Sequence, residues 1–217
     1  MEENKVKTIL EKPEWLTSEE LVPYLEAVAT MEARVADIVA GRKEEAVWFL
    51  EHPSLYTAGV SASPEEIAEA KRFPVYETGR GGRMTYHGPG QRVIYVMCDL
   101  RQRNFDVHAH VKRLEEWIIR VLGRLGVKGE RREGRIGIWV TADGSEAKIA
   151  AIGVRVRRGV TYHGLSLNVA PDLSAFDGIV PCGIRAFGVT SLKKMGIDIL
   201  MDRIDSLFKE TWNEIFM

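Results

Sequence analysis

The stretch IGIWVTADGSEAKIAAIGVRVRRGVTYHGLSLNV, at residues 136–169, decides the fold. It holds three runs of apolar and β-branched residues, and the two short intervals between the runs contain an Asp-Gly and an Arg-Gly pair. Runs of this composition form β-strands, and such dipeptides favour the tight turns of hairpins. The stretch therefore predicts three consecutive antiparallel strands.

The segments before this stretch predict an opening helix and further strands. Thr17-Ser18-Glu19-Glu20 matches a capping box, and the apolar spacing after it predicts a helix that ends at Gly41, with Pro23 tolerated near the first turn. AVWFLEH predicts a buried strand that ends at His52, followed by a loop at 53–66. VYET and RVIYVMCDL predict two strands around a glycine-rich turn at 79–90.

Two further helices are predicted in the second half. Helical spacing places Leu114, Trp117, Ile118 and Val121 on one face of a helix over 107–125, and an amphipathic helix is predicted over 199–216. Helices and strands do not alternate strictly, which favours an α+β fold: a single domain, residues 1–217, of mixed or antiparallel β-sheets flanked by helices.

Composition narrows the class of protein. The 217 residues carry a net charge of -1, so no overall field favours nucleic acid or a membrane surface. The charged N-terminus lacks the apolar core of a signal peptide, and no segment approaches 18 consecutive apolar residues. Two cysteines without a CxxC motif suit a reducing compartment. The sequence predicts a cytoplasmic protein.

The densest group of special residues is GRGGRMTYHGPGQ at 79–91. It is either an elaborate hairpin loop or an anion- or thioester-binding loop built from backbone amides with Arg80 and Arg83. The Gly-Pro-Gly turn predicts that His87 is held at the end of a strand. The stretch lacks the GxxxxGK[ST] pattern of a nucleotide P-loop.

The two thiols differ in their surroundings. Cys98 lies within an apolar strand, where a thiol is usually a small core hydrophobe. Cys182 lies in IVPCGIR, and a Pro-Cys-Gly turn could direct its thiol into a cleft, so reactive and structural roles both remain open. A reactive thiol needs a route to thiolate, since a free cysteine has a pKa of about 8.5.

Lys148 is an unusual residue at the start of an apolar strand. It is either a strand-end lysine whose ammonium reaches solvent or a partly desolvated lysine beside a thiol. Burial disfavours the charged form, so a buried amine could exchange a proton with a cysteine near neutral pH. Spacing alone does not pair Lys148 with Cys182.

Other polar residues are weaker candidates. His163 and Asn168 are candidates for polar contacts in the same cleft. His108 and His110 stand two residues apart on a helix and so do not face one side, which argues against a metal there. A basic cluster predicts either a solvated surface or the footprint of an acidic protein partner, and it comprises Arg131, Arg132, Arg135, Arg155, Arg157 and Arg158.

Several of these motifs occur together in one order: EHPSLYTAG (51–59), RGGRMTYHGPGQ (80–91), KIAAIGVRV (148–156), HGLSLNV (163–169), IVPCGI (179–184) and TSL (190–192). In this the chain resembles the octanoyl-(acyl carrier protein)–protein N-octanoyltransferase family over roughly residues 45–195. Val60 stands where that family usually has a basic residue.

The resemblance implies a fold related to the lipoate- and biotin-protein ligases. It also implies that Cys182 carries the acyl chain as a thioester and that Lys148 is its acid/base partner, with no metal or cofactor. The substrate-binding residues that it implies are Arg80, Gly81, Gly82, Arg83, Met84, Thr85, Tyr86, His87, Ala151, Ile152, Gly153, Gly164, Leu165 and Ser166.

The implied partners are octanoyl-acyl carrier protein as donor and, as acceptor, a lipoyl domain of a 2-oxoacid dehydrogenase complex or the glycine cleavage H protein. A monomer is expected. Two alternatives remain: an ATP-dependent lipoate- or biotin-protein ligase, which has no need of Cys182, and a non-catalytic module that binds acyl carrier protein and leaves its thioester intact.

Overall fold

The computed structural model describes residues 12–103, 106–179 and 188–217. The strands in this part of the chain are β1 (Glu14–Thr17), β2 (Ala46–Leu50), β3 (Leu55–Ala58), β4 (Val75–Glu77), β5 (Met84–His87), β6 (Gln91–Met97), β7 (Glu130–Arg132), β8 (Arg135–Ala142), β9 (Ser145–Arg157), β10 (Val160–Asn168) and β11 (Gly188–Val189). The helices are α1 (Tyr24–Val39), α2 (Pro64–Glu69), α3 (Leu100–Arg103), α4 (Val107–Arg124) and α5 (Met201–Phe216), with a 3-10 turn at Leu173–Gly178.

The larger sheet contains eight of these strands, in the order β1-β2-β6-β10-β9-β8-β7, with β11 added beside β9. The predicted antiparallel run β8-β9-β10 is confirmed. Its two turns are tight because Asp143-Gly144 and Arg158-Gly159 all adopt positive φ, as the hairpin dipeptides predict. The fold is α+β, as predicted.

Both faces of the large sheet are covered, and strand alternation explains how. On β2, Val47 and Phe49 pack with α4 and α5, whereas Trp48 and Leu50 pack with α1 on the opposite face. Successive side chains of a strand point to opposite faces, so an unbroken apolar run such as AVWFL fills two cores at once. The predicted helical face of α4, including Trp117, is fully buried.

A smaller sheet, in the order β4-β3-β5, packs beside the large one. Tyr56, Met84 and Tyr86 form its core together with Phe176 of the 3-10 turn. This sheet carries the glycine-rich loop that precedes β5, and the hydrogen bond from Gly81 N to Val154 O, at 2.9 Å, joins that loop to β9. The two sheets therefore meet along β9.

The predicted helix start was wrong. Thr17 ends β1, whose residues pair in parallel with β2, and Ser18 N donates to Phe49 O at 2.9 Å. The backbone around the apparent capping box is thus committed to the sheet. Helix α1 begins only after Pro23, which lacks an N–H and serves as N-cap.

The loop predicted at 53–66 and the turn predicted at 79–90 were also wrong in part. Each contains a four-residue strand, β3 and β5, which pair with each other. Ser63 and Glu66 form the capping box of α2, a signal that is present in the sequence. Strand β2 ends at Leu50, not at His52. Four-residue strands are too short for alternation to reveal.

Candidate active site

Lys148 is buried on β9, with 6% of its surface exposed. Its Nζ donates to Ile136 O at 2.9 Å and lies 4.9 Å from the centre of the Trp139 ring. Ile138 pairs with Ala150 while Trp139 pairs with Lys148, so Ile149 is an extra residue on β9. Such bulges redirect side chains. The ammonium is therefore held by a carbonyl and an aromatic face of β8.

Gly137 makes this position of Lys148 possible. Its φ is +112°, and a Cβ there would lie 2.6 Å from Ala150 O and 3.3 Å from Lys148 Cε. A side chain would therefore be strained and would push directly against the lysine. The glycine of IGIWV is thus needed for its backbone conformation and for the space beside Lys148, and the strand pattern does not reveal either requirement.

A small cavity of about 10 Å³ lies beside Lys148. The other residues that line it are Thr85, Gln91, Ala150, Ala151, Ser166, Asn168, Phe176 and Val189. Val189 is the ladder partner of Lys148, and Thr190 N donates to Lys148 O at 2.9 Å. Cys182 lies outside the described residues, and its pairing with Lys148 stays a prediction.

A second cavity, of about 50 Å³, continues from the first, because both are lined by Thr85, Ala151 and Ser166. Its remaining lining residues are Tyr24, Arg80, Gly82, Arg83, Met84, His87, Val93, Tyr95, Ile152, Gly153, His163, Gly164 and Leu165. Strands β9 and β10 form one wall and the 80–87 segment the other. The two cavities together make a narrow channel that leads away from Lys148.

A chain of buried amides joins the channel to β11. Gln91 Nε2 donates to Tyr86 O at 3.1 Å and to Asn168 Oδ1 at 3.0 Å, and Asn168 Nδ2 donates to Thr190 O at 3.0 Å. Gln91 Oε1 therefore accepts from His87 Nδ1 at 2.7 Å. With Nδ1 protonated, His87 Nε2 is left as an acceptor. The network fixes the tautomer of His87.

Three histidines around the channel are held neutral. Burial lowers the pKa of His87 to about 3, with further lowering from His52 and Arg80. Burial likewise lowers the pKa of His163 to about 3 and that of His52 to about 4. His52 Nδ1 donates to Val22 O at 2.6 Å, so its Nε2 accepts from Tyr95 Oη at 2.7 Å. His87 and His163 line the channel and present neutral imidazole to it, whereas both ring nitrogens of His52 are bonded to protein groups.

The two arginines of the glycine-rich loop contact protein groups. Arg80 donates to Thr57 Oγ1 at 2.6 Å, to Thr57 O at 2.8 Å and to Arg83 O at 3.0 Å, and it is buried. Arg83 forms an ion pair with Glu66 at 3.0 Å. Arg80 therefore ties the loop to β3, which gives it a positioning role in addition to its place in the cavity wall.

The structure brings most of the predicted substrate-binding residues together. Ala151, Ile152, Gly153, Gly164, Leu165 and Ser166 all line the channel, as do six residues of the 80–87 segment. Gly81 lies instead in a neighbouring groove, and Tyr86 packs into the core of the small sheet, where its Oη contacts Ser54 Oγ at 3.0 Å. Their roles in binding stay predictions.

Several channel residues were missed from the sequence. Gln91 ends the glycine-rich motif GRGGRMTYHGPGQ, so its position was a usable signal. Tyr24 and Tyr95 come from the start of α1 and the middle of β6, where an aromatic residue normally indicates a core position. Their place at the channel is set by tertiary packing alone.

The structure also places the other residues that the sequence singled out. Cys98 is confirmed as a core residue, and burial raises the pKa of its thiol. His163 and Asn168 line the channel as predicted. His108 is exposed and His110 is buried. Arg131 pairs with Glu115, while Arg132 and Arg135 share Glu146, so half of the basic cluster is neutralised locally.

The fold by itself first defines a structural class. A lipoate-protein ligase A bound with ATP superposes with a TM-score of 0.67 at 17% identity, covering 94% of this chain and 85% of that one. A bipartite lipoate protein ligase from Thermoplasma acidophilum gives 0.66 at 16% identity, covering 94% and 84%. The biotin acetyl coenzyme A carboxylase synthetase of Helicobacter pylori gives 0.53 at 12%, covering 94% and 75%. The fold is that of the lipoate- and biotin-protein ligases.

Sequence comparison then identifies the family. The lipoyl protein ligase A/B catalytic domain family matches residues 23–212, and the chain belongs to it. An octanoyltransferase of Paramagnetospirillum magneticum is 59% identical over 94% of this chain and 96% of its own. An octanoyltransferase of Parvibaculum lavamentivorans is 55% identical over 97% and 95%.

Proposed function

We propose that this chain is an acyltransferase that moves an octanoyl group from acyl carrier protein to a lysine of a lipoyl domain, through a thioester on Cys182. Relatives that match nearly its whole length carry the name octanoyltransferase, which favours this activity over an ATP-dependent ligase. Lys148 is proposed as the acid/base partner, and the channel as the site of the octanoyl chain.

One observation carries the residue roles. Lys148 is buried at the end of a narrow channel, and the two ends of the segment that contains Cys182 line the same cavity. Phe176 lies just before that segment and Val189 just after it. Cys182 follows Phe176 by six residues and precedes Val189 by seven, and a chain spans at most about 3.6 Å per residue, so a position of Cys182 beside Lys148 is compatible with both connections.

The first half-reaction loads the enzyme. Lys148 takes the thiol proton of Cys182, and the thiolate attacks the carbonyl carbon of the carrier thioester. The tetrahedral adduct collapses, the bond to the carrier sulfur breaks, and the Lys148 ammonium returns its proton to the departing thiolate. Octanoyl-Cys182, free carrier thiol and neutral Lys148 remain.

The second half-reaction forms the amide. The amine of the target lysine attacks the octanoyl thioester, and neutral Lys148 accepts the proton that this amine loses. The carbon–sulfur bond to Cys182 breaks, and the Lys148 ammonium gives that proton to the departing thiolate, which restores the thiol. An amide is more stable than a thioester, so no nucleotide is required.

The rest of the assignment follows from this proposal. Residues 1–217 would act as one catalytic domain and as a monomer in the cytoplasm, with a lipoyl domain of a 2-oxoacid dehydrogenase complex or the glycine cleavage H protein as acceptor. In the described ranges, no helix combines the length and apolar character needed to span a bilayer.

The covalent step is tested by intact-protein mass spectrometry after incubation with octanoyl-carrier protein. We expect one octanoyl adduct on the wild type, none on Cys182→Ala, and a full adduct on the matched control Cys98→Ala, whose thiol is buried in the core. An undiminished adduct on Cys182→Ala contradicts the mechanism. An adduct formed from free octanoate and ATP would favour the ligase.

The role of Lys148 is tested by Lys148→Arg, which keeps a positive charge and replaces the amine by a guanidinium that does not give up its proton. We expect kcat to fall by roughly 100- to 10 000-fold, the usual contribution of a positioned acid/base group. Circular dichroism and thermal unfolding report whether the variant is folded. A folded variant with full activity at neutral pH overturns the role.

A further inference from the structure

A groove much larger than the channel opens beside it, with a volume of about 660 Å³. Its floor is formed by Ala151–Val154 of β9, and one side is the first two turns of α4. Arg135 and Ile136 of β8 complete the lining. This volume lies within the range of about 300–1,000 Å³ that is usual for sites that bind a small molecule or a flexible arm.

The groove adjoins the channel and also reaches the backbone that holds Lys148. Gly82, Arg83, Ala151, Ile152 and Gly153 line both. Ile136, whose carbonyl accepts the hydrogen bond from Lys148, is 58% exposed and lines the groove. An occupant of the groove would therefore contact Ile136, the residue that holds the Lys148 amine, together with the apolar side chains of Val107 and Val111.

Most of the charged side chains that line the groove are basic. Arg83, Lys112 and Arg135 line it against a single carboxylate, Glu115, a formal charge of +2 compared with -1 for the chain. Arg83 and Arg135 have acidic partners of their own, and Glu115 pairs with Arg131. Lys112 is exposed and forms no ion pair with any residue in 12–103, 106–179 or 188–217.

We propose that this groove holds the phosphopantetheine arm of the carrier-protein donor, with the thioester at Lys148 and the phosphodiester at Lys112. The proposal rests on the proposed function. The arm is a flexible chain that has apolar and amide segments and ends in an anion, which matches a groove with apolar side chains and an exposed cation in its lining. Lys112 on α4 would then be a specificity residue for the carrier-bound donor.

The test compares two donors in the loading step alone. One is octanoyl-carrier protein, and the other is octanoyl-N-acetylcysteamine, which keeps the thioester end of the arm and lacks the phosphodiester. The measured quantity is the ratio of kcat/KM for Cys182 acylation by the two donors. We expect Lys112→Glu to lower this ratio at least tenfold and Lys112→Arg to restore most of it.

The matched control is Lys128→Glu, an exposed lysine with an 85% exposed side chain outside the groove, which should keep the wild-type ratio. Added salt should lower the ratio for the wild type more than for Lys112→Glu, because ions screen the exposed lysine.

Three outcomes would overturn the arm proposal. The first is a Lys112→Glu variant with the wild-type ratio of the two kcat/KM values. An equal fall in kcat/KM with both donors leaves this ratio unchanged and counts as the same outcome. The second is impaired transfer from preloaded enzyme to a lipoyl domain with normal loading, which would assign the groove to the acceptor. The third is a wild type that neither donor acylates, which contradicts the proposed function itself and is thereby distinguished from the other two.

Discussion

At the scale of single residues, the burial of neutral histidines affects how the stability of the protein depends on pH. His87 and His163 line the channel, and the ring of His52 lies 5.8 Å from that of His87. His163 also has a φ of +58°, a left-handed conformation inside a strand that is rare outside glycine. Strain of this kind collects at functional sites, where the surrounding structure enforces it.

These histidines predict the direction of acid destabilisation. An unfolded histidine binds a proton near pH 6.5, whereas burial holds these rings neutral down to about pH 4 or 3. Below about pH 6.5 the unfolded state therefore binds more protons than the folded state. The free energy of unfolding consequently decreases as the pH is lowered. Each ring contributes a slope of about 1.4 kcal/mol per pH unit.

The variant His163→Asn removes one of these rings and tolerates the left-handed backbone. Urea denaturation between pH 6 and 4.5 measures the slope of the unfolding free energy against pH. We expect this slope to decrease by the contribution of one histidine, about 1.4 kcal/mol per pH unit. His108→Asn, which removes an exposed ring, should leave the slope as it is. A wild-type slope in His163→Asn would show that this ring does not remain neutral.

At the scale of elements, the hairpin β8-β9 determines the position of the proposed catalyst. The bulge at Ile149 and the left-handed Gly137 together direct Lys148 toward the channel. Strand geometry contributes to the placement of the side chain, since Ile136 O and the Trp139 ring, which lie near its Nζ, belong to β8.

Gly137→Ala is therefore expected to lower kcat by more than its loss of stability would explain. The new Cβ meets Lys148 Cε, and a catalytic group displaced by about 1 Å can lose roughly 100-fold in kcat. Gly144→Ala is the matched control, since Gly144 has a φ of +74° and a Cβ added there would meet nothing within 4 Å. Both variants should lose stability to backbone strain, but only Gly137→Ala should lose kcat; equal kcat values would contradict this role.

At the scale of the whole molecule, α5 closes one face of the large sheet. Trp212 and Phe208 pack with Trp117 of α4, and a buried ion pair joins α5 to β6. Arg92 Nε donates to Asp205 Oδ1 at 2.7 Å, with both side chains at most 6% exposed. The pair connects residues far apart in sequence across the core.

Asp205→Asn should destabilise the protein by about 3–5 kcal/mol, because it leaves Arg92 as an uncompensated buried charge. Urea unfolding measures this loss. The exposed pair Arg203–Glu210 supplies the comparison: Glu210→Gln should cost less than about 1 kcal/mol. The double variant Arg92→Met/Asp205→Leu should recover much of the loss, and similar losses in both single variants would contradict the role of the buried pair.

The sequence predicted the long elements and missed the short ones. The run at 136–169 and helix α4 carry many residues of consistent periodicity, so local pattern alone was sufficient for them. Strands β3 and β5 have four residues each, and their existence depends on pairing with each other. The capping box predicted at Thr17 was wrong for the same reason. The backbone there pairs with β2, a strand that is distant in sequence.

For the site, the sequence by itself determined which residues are chemically unusual: a lysine in an apolar strand, a thiol between proline and glycine, and a loop rich in glycine. Only the tertiary structure decided that Lys148 contacts Ile136 and Trp139, that Gln91 fixes His87, and that Tyr24 reaches the channel. The physical reason is that residue type and periodicity are local properties, whereas burial and hydrogen-bond partners depend on strands and helices that are distant in sequence.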